Sequence, residues 1–187
     1  MGYRTKITRR NFIRLAATAA AASPLVSCAG LSKPWRSFTE AEARTLAALC
    51  ERLIPTDADP GAAWAGVVNF LDKQLAGPYK KYRTTYRQGL AGVDQTSEIL
   101  FGRAFAQLSS GNQDGILKAL EEGRAAGDNW KRLSSVQFFD LVLTHTMQGF
   151  YGDPRHGGNR EEVSWRMLRL PYPPVRGRLR YDLTRPS

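Results

Sequence analysis

His145 and His156 are the only imidazoles in this 187-residue chain, and each follows an aspartate closely: Asp140 stands five residues before the first, Asp153 three before the second. An imidazole beside a carboxylate can ligate a metal ion or carry a proton. With Asn159 added, Asp153 and His156 would make a small acid–base or binding site. The settings of the two histidines differ. His145 lies within the run Phe138, Phe139, Val142, Leu143, Thr146, Met147 and Phe150, a broad apolar helical face, so a histidine satisfied inside a core is the stronger reading there.

His156 sits in "GFYGDPRHGGNREEVSWRMLRLPYPP", residues 149–174, where the chain turns from periodic to rich in Gly and Pro. Gly157-Gly158-Asn159 allows backbone conformations closed to other residues, which suits a close approach to a partner or ligand. Asp153 before Pro154 reads as a turn-forming Asx residue. Asn159, with Glu162 three residues on, reads as the cap of a short following helix. Tyr151, Asp153, Pro154, His156, Gly157, Gly158, Asn159 and Trp165 together form the candidate partner surface. Catalytic, cofactor and metal residues are expected to be absent from this chain. It holds no Gly-rich dinucleotide fingerprint, no Cys-x-x-Cys-His haem site and no cysteine cluster.

The elements that must position this loop read as all-α, a single domain of about five helices over residues 39–150, followed by a Gly/Pro-rich loop, short helix and basic tail over 151–187. Thr39 with Glu42 is a capping box, and Ala43, Leu46, Ala47, Leu49, Cys50 and Leu53 give the first helix an apolar face that Pro55 ends. A second helix is predicted to start near Asp59 and Pro60 and to stop at Gly77-Pro78. A third runs from about Tyr79 to Leu100, with Tyr82 and Tyr86 at a core edge. Ser110 with Gln113, and Ser134 with Gln137, are two further capping boxes, the last opening the central core helix. Cys50, on the first helix's apolar stripe, reads as a buried, inert thiol.

Residues 1–27 are read as a leader. "TRRNFIRLAATAAAASPLVSC", residues 8–28, has a basic start, a short apolar middle and small residues at its end. Its uncharged run is far shorter than the roughly 20 residues a spanning helix needs. Arg9 and Arg10 after Thr8, with Phe12 two residues on, give the twin-arginine export pattern. Leu25-Val26-Ser27-Cys28 resembles a lipobox, which makes Cys28 the acylated first residue of the mature chain and 28–38 a tether. The expected location is periplasmic, lipid-anchored to a membrane.

The leader carries five basic residues and no acid; residues 28–154 hold 14 of each sign, whereas 155–187 hold eight basic and three acidic. The surplus of the mature chain therefore lies in the tail, suited to a protein or membrane surface. Nucleic acid is not an expected partner once the chain is exported.

In its leader, in "LCERLIPTDADPGAAWAGVVNFLD", in Gly89 to Leu90 and Phe105 to Leu108, and above all in "GFYGDPRHGGN" followed by Trp165, the sequence resembles subunit 3, the small subunit, of the gluconate 2-dehydrogenase type. The resemblance spans nearly the whole chain. It implies a non-catalytic accessory subunit of a membrane-associated dehydrogenase of sugars, sugar acids or alcohols. Such a subunit escorts a signal-less FAD flavoprotein of the GMC type through twin-arginine export, stays bound to it, and is often joined by a haem c cytochrome subunit. His156 departs from the aromatic usual at its position, and "RMLRLPYP" after Trp165 from a more Gly-rich ending. The alternative from the residues alone is a free-standing periplasmic lipoprotein, an enzyme or binding module with a site around His156.

Overall fold

The computed structural model describes residues 35–170, which form helices, 3-10 turns and loops, with no strand among the described residues. Arg9, Arg10, Phe12, Cys28 and the tail from 171 onward lie outside the described residues. The folded unit takes in Trp35 to Phe38, which the sequence places in the tether. The reason is Asp72, a buried carboxylate that accepts the backbone N–H of Arg36 at 2.8 and 3.0 Å and that of Ser37 at 2.7 Å. Ser37 Oγ donates in turn to the Asp72 carbonyl at 3.0 Å, and Phe38 is buried edge-on against Tyr86, ring centroids 6.1 Å apart.

Helix α1 spans Glu40–Leu53 and opens on the expected capping box: Glu42 N–H donates to Thr39 Oγ1, and Thr39 N–H donates back to the Glu42 carboxylate. Such a cap contributes about 1 kcal/mol. Ala43, Leu46, Leu49 and Cys50 are buried along it, and burial pushes the Cys50 thiol up to about 12, leaving it unreactive.

Helix α2 spans only Val67–Ala76, seven residues later than the Asp59-Pro60 signal. Glu51 explains the delay. Its carboxylate accepts Thr56 N–H at 2.8 Å and Ala63 N–H at 3.1 Å, while Ala62 N–H donates to the Ile54 carbonyl. Those groups are thereby held in a loop, and the helix begins only after Gly66, at φ 76.

A 3-10 turn over Lys80–Tyr82 leads into α3, Arg83–Phe101, so the regular helix starts four residues after Tyr79 and ends at left-handed Gly102. Helix α4, Ser110–Glu121, is capped by Ser109 rather than Ser110. Gln113 turns inward instead of closing a box, and its amide donates to the Phe105 carbonyl at 3.0 Å. Helix α5, Ser135–Tyr151, is capped by Ser134, whose hydroxyl accepts from Gln137 N–H.

As expected, α5 is central, packing on α1 to α4. Its buried side is turned from the predicted one: His145 and Gly149 point inward with Phe138, Val142, Thr146 and Phe150, while Met147 is 42 % exposed. Gly149 lets this happen, because a Cβ there would stand 2.9 Å from the Phe70 ring and 3.1 Å from Val67 on α2. Burying side chains such as Phe138 and Phe150 contributes roughly 1.5–3 kcal/mol each. A short helix α6, Val163–Met167, closes the described fold and packs on α5.

Candidate functional site

The loop after α5 folds back onto its own domain. Arg160 N–H donates to the Ala65 carbonyl at 3.0 Å, and its guanidinium lies over Trp64, 5.5 Å from the ring centre. The Gly-Asp-Pro…Gly-Gly-Asn loop and the "PGAAWAG" segment, about 90 residues apart in sequence, are thus joined through Arg160. The close approach expected of the glycine pair is made to the chain's own helix. A Cβ on Gly158 would stand 2.1 Å from the Gly149 carbonyl oxygen, and Gly157, at φ 103, lies against the Lys73 side chain.

Asn159 is fully buried and structural. Its amide donates to the Gly152 carbonyl at 2.8 Å, and its oxygen accepts Ser164 N–H at 3.0 Å, capping the first turn of α6. The expected box with Glu162 does not form; Asn159, Glu161 and Glu162 all take positive φ. Asp153 does make the predicted Asx turn, accepting Arg155 N–H at 3.0 Å, and its carboxylate pairs with the Arg155 guanidinium at 3.5 Å. Pro154 fills the first turn of a 3-10 segment ending at His156. Trp165 is buried, its indole N–H donating to the Tyr151 carbonyl at 3.0 Å. Of the eight candidate surface residues, Gly158, Asn159 and Trp165 therefore hold the loop together from inside, while Tyr151 and His156 remain exposed. The Asn159 amide, committed to Gly152 and Ser164, is thus turned into the loop.

Tyr151 and His156 border an open groove of about 420 Å³ with Phe70, Gln74, Tyr79, Gln148 and Gly152. Tyr79 donates its hydroxyl to the Gln148 side chain at 2.7 Å, forming a ridge. Across that ridge a second groove of about 490 Å³ is lined by Lys81, Tyr82, Gln137, Asp140, Thr144 and His145 among others. Exposed Met147 stands one helical turn before Tyr151. No residue signal in the sequence singled out the Tyr79–Gln148 ridge, because its two halves are 69 positions apart.

His145 forms the floor of the second groove. It is stacked on Tyr79, centroids 4.5 Å apart, parallel to Tyr86 at 5.9 Å, with Tyr82 edge-on at 5.3 Å. Burial pushes the His145 pKa down and the Tyr86 pKa up, so the imidazole is neutral and the phenol protonated. The Tyr86 hydroxyl and His145 Nδ1 share a buried hydrogen bond at 3.0 Å. Its surroundings are those of a satisfied core histidine. Among the described residues no three His, Cys, Asp or Glu side chains gather into a metal-binding cluster, and no helix is long and apolar enough to cross a membrane.

Fold and face together define a helical domain that presents an open surface of tyrosine, methionine, histidine and amide groups. The family model for gluconate 2-dehydrogenase subunit 3 matches residues 40–171, from the start of α1 past the last described residue, and the chain belongs to that family. No curated protein and no solved structure matches it.

Proposed function

We propose that this chain is the non-catalytic accessory subunit of a membrane-associated, FAD-dependent dehydrogenase of sugars, sugar acids or alcohols. It binds the flavoprotein subunit through the face around Tyr151 and His156, carries it through the twin-arginine route, and keeps it at the membrane by a lipid on Cys28. The observation that carries the reading is the family match, which runs through the loop that bears Tyr151 and His156. The leader supplies the rest: Arg9, Arg10 and Phe12 for export, and the lipobox before Cys28 for the anchor. FAD belongs to the partner in this reading, and haem c to a third, cytochrome subunit.

Changing Arg9 and Arg10 together to Lys keeps the charge and removes the twin-arginine identity. Both this chain and its flavoprotein should then stay in the cytoplasm. A flavoprotein that still reaches the periplasm would sink the escort role, whether or not the two proteins bind.

A further inference from the structure

Charge in the described domain is unevenly placed. From Lys73 to Val93 the chain carries five basic residues, Lys73, Lys80, Lys81, Arg83 and Arg87, and no acidic one; the other described residues hold twelve basic and sixteen acidic. Lys73, Lys80, Lys81 and Arg87 are exposed, and Lys80, Arg83 and Arg87 follow one another at three- and four-residue spacing into α3.

This basic stretch flanks the point where the amino-terminal segment joins the fold. On one side, Lys73 follows Asp72, the carboxylate that holds the backbone of Arg36 and Ser37. On the other, Arg87 lies 3.8 Å from Glu42, whose second oxygen accepts Thr39 N–H. Phe38 packs on Tyr86 between them. Of the nearby acids, Glu40 accepts the Trp35 indole N–H and pairs with Arg44 at 3.7 Å, while Asp140 lines the groove that Lys81 also lines.

We propose that the surface formed by Lys80, Lys81, Arg83 and Arg87 lies against anionic phospholipid headgroups and sets which way the domain faces on its membrane. The setting rests on the exported, lipid-anchored reading above. Six residues lie between Cys28 and Trp35, so the two can stand at most about 25 Å apart, and an acyl anchor keeps this surface close to the bilayer. Within a Debye length of roughly 8–10 Å, each Lys or Arg is attracted to an anionic surface. Orientation follows, because the other basic groups of the domain are interspersed with acids.

The test uses the protein as purified from membranes, mixed with vesicles of phosphatidylcholine alone or with phosphatidylglycerol added. A membrane-impermeant amine-acylating reagent is applied, and each lysine is followed by mass spectrometry. Acylation of Lys80 and Lys81 should slow about fivefold on the anionic vesicles, and the protection should vanish near about 0.5 M salt. Lys118 and Lys131, on other elements, should react alike on both vesicle types. Arg83→Glu with Arg87→Glu should remove the protection of Lys80 and Lys81. Equal rates for Lys80 and Lys81 on both vesicles, or all four lysines slowed together, would overturn the proposal. Retention of the chain on vesicles at high salt reports on the lipid anchor separately, so loss of the anchor and loss of the basic surface are told apart.

Discussion

Gly158 is packed so closely on Gly149 that a Cβ atom at 158 would come within 2.1 Å of the Gly149 carbonyl oxygen. Neither residue can give way cheaply: the oxygen belongs to helix backbone, and Gly149 itself is pressed against Phe70. Gly158→Ala should therefore lower stability by roughly 2–3 kcal/mol, read as a lower midpoint in urea with helical content lost cooperatively. Gly157→Ala should cost less, since its nearest neighbour is the flexible end of Lys73, though its φ of 103 still strains any side chain. If Gly158→Ala unfolds at the native midpoint, the loop is not held as described. A variant at Gly158 consequently tests the fold and not partner binding.

The Asp72 clamp gives a second expectation. Asp72→Ala leaves the N–H groups of Arg36 and Ser37 without their carboxylate, at a cost of about 1.5–3 kcal/mol for hydrogen bonds to a charged group. The stretch before Thr39 should then detach locally. Trypsin cleavage after Arg36 should become faster while α1 to α5 stay protected, which limited proteolysis with mass spectrometry measures. Unchanged cleavage would mean that Phe38 alone holds the segment.

How far the sequence could be read follows from where each hydrogen bond goes. The Thr39 cap was legible because both of its bonds close within three residues. The start of α2 was not, because Glu51 and Ile54 capture backbone groups of residues 56–63 from the preceding helix, a competition that Pro60 and the apolar periodicity do not register. Ser110 read as a cap because Gln113 stands three residues on, but Gln113 is drawn inward by the Phe105 carbonyl and Ser109 caps the helix. At the candidate surface, Tyr151 and His156 were readable as exposed. Asn159 and Trp165 were not readable as buried, since their partners, Gly152, Ser164 and Tyr151, act through backbone atoms.

His145 makes stability depend on pH. Its folded-state pKa is depressed by burial, so the unfolded chain binds the proton more readily. The contribution of the neutral imidazole is complete above the unfolded value near 6.5 and declines as pH falls below it toward the lowered folded value. Wild type should thus lose melting temperature between about pH 7.5 and 5.5 more steeply than His145→Gln, which keeps a side-chain hydrogen-bond partner for the Tyr86 hydroxyl and has no titrating group. Parallel melting curves for the two proteins across that interval would remove His145 as the cause.

The partner surface is best tested at residues whose loss the fold can tolerate. Tyr151 is 38 % exposed and Met147 42 % exposed, His156 is exposed, and all three lie beside the groove that reaches Gln74 and Tyr79 or on its bordering helix. Truncating an aromatic anchor at the centre of an interface costs about 2 kcal/mol or more, whereas a rim residue costs little. Tyr151→Ala with His156→Ala should lower recovery of the flavoprotein in co-purification at least tenfold, with circular dichroism and melting temperature close to wild type. The Tyr151 carbonyl that holds Trp165 is a backbone group and survives the substitution, so the loop keeps its shape. Ile99→Ala with Leu100→Ala, at exposed apolar positions at the far end of α3, should leave recovery unchanged. If instead the α3 pair abolishes recovery and the Tyr151 and His156 pair does not, the flavoprotein binds at the carboxyl end of α3, and the face built by the glycine loop serves only to close the domain.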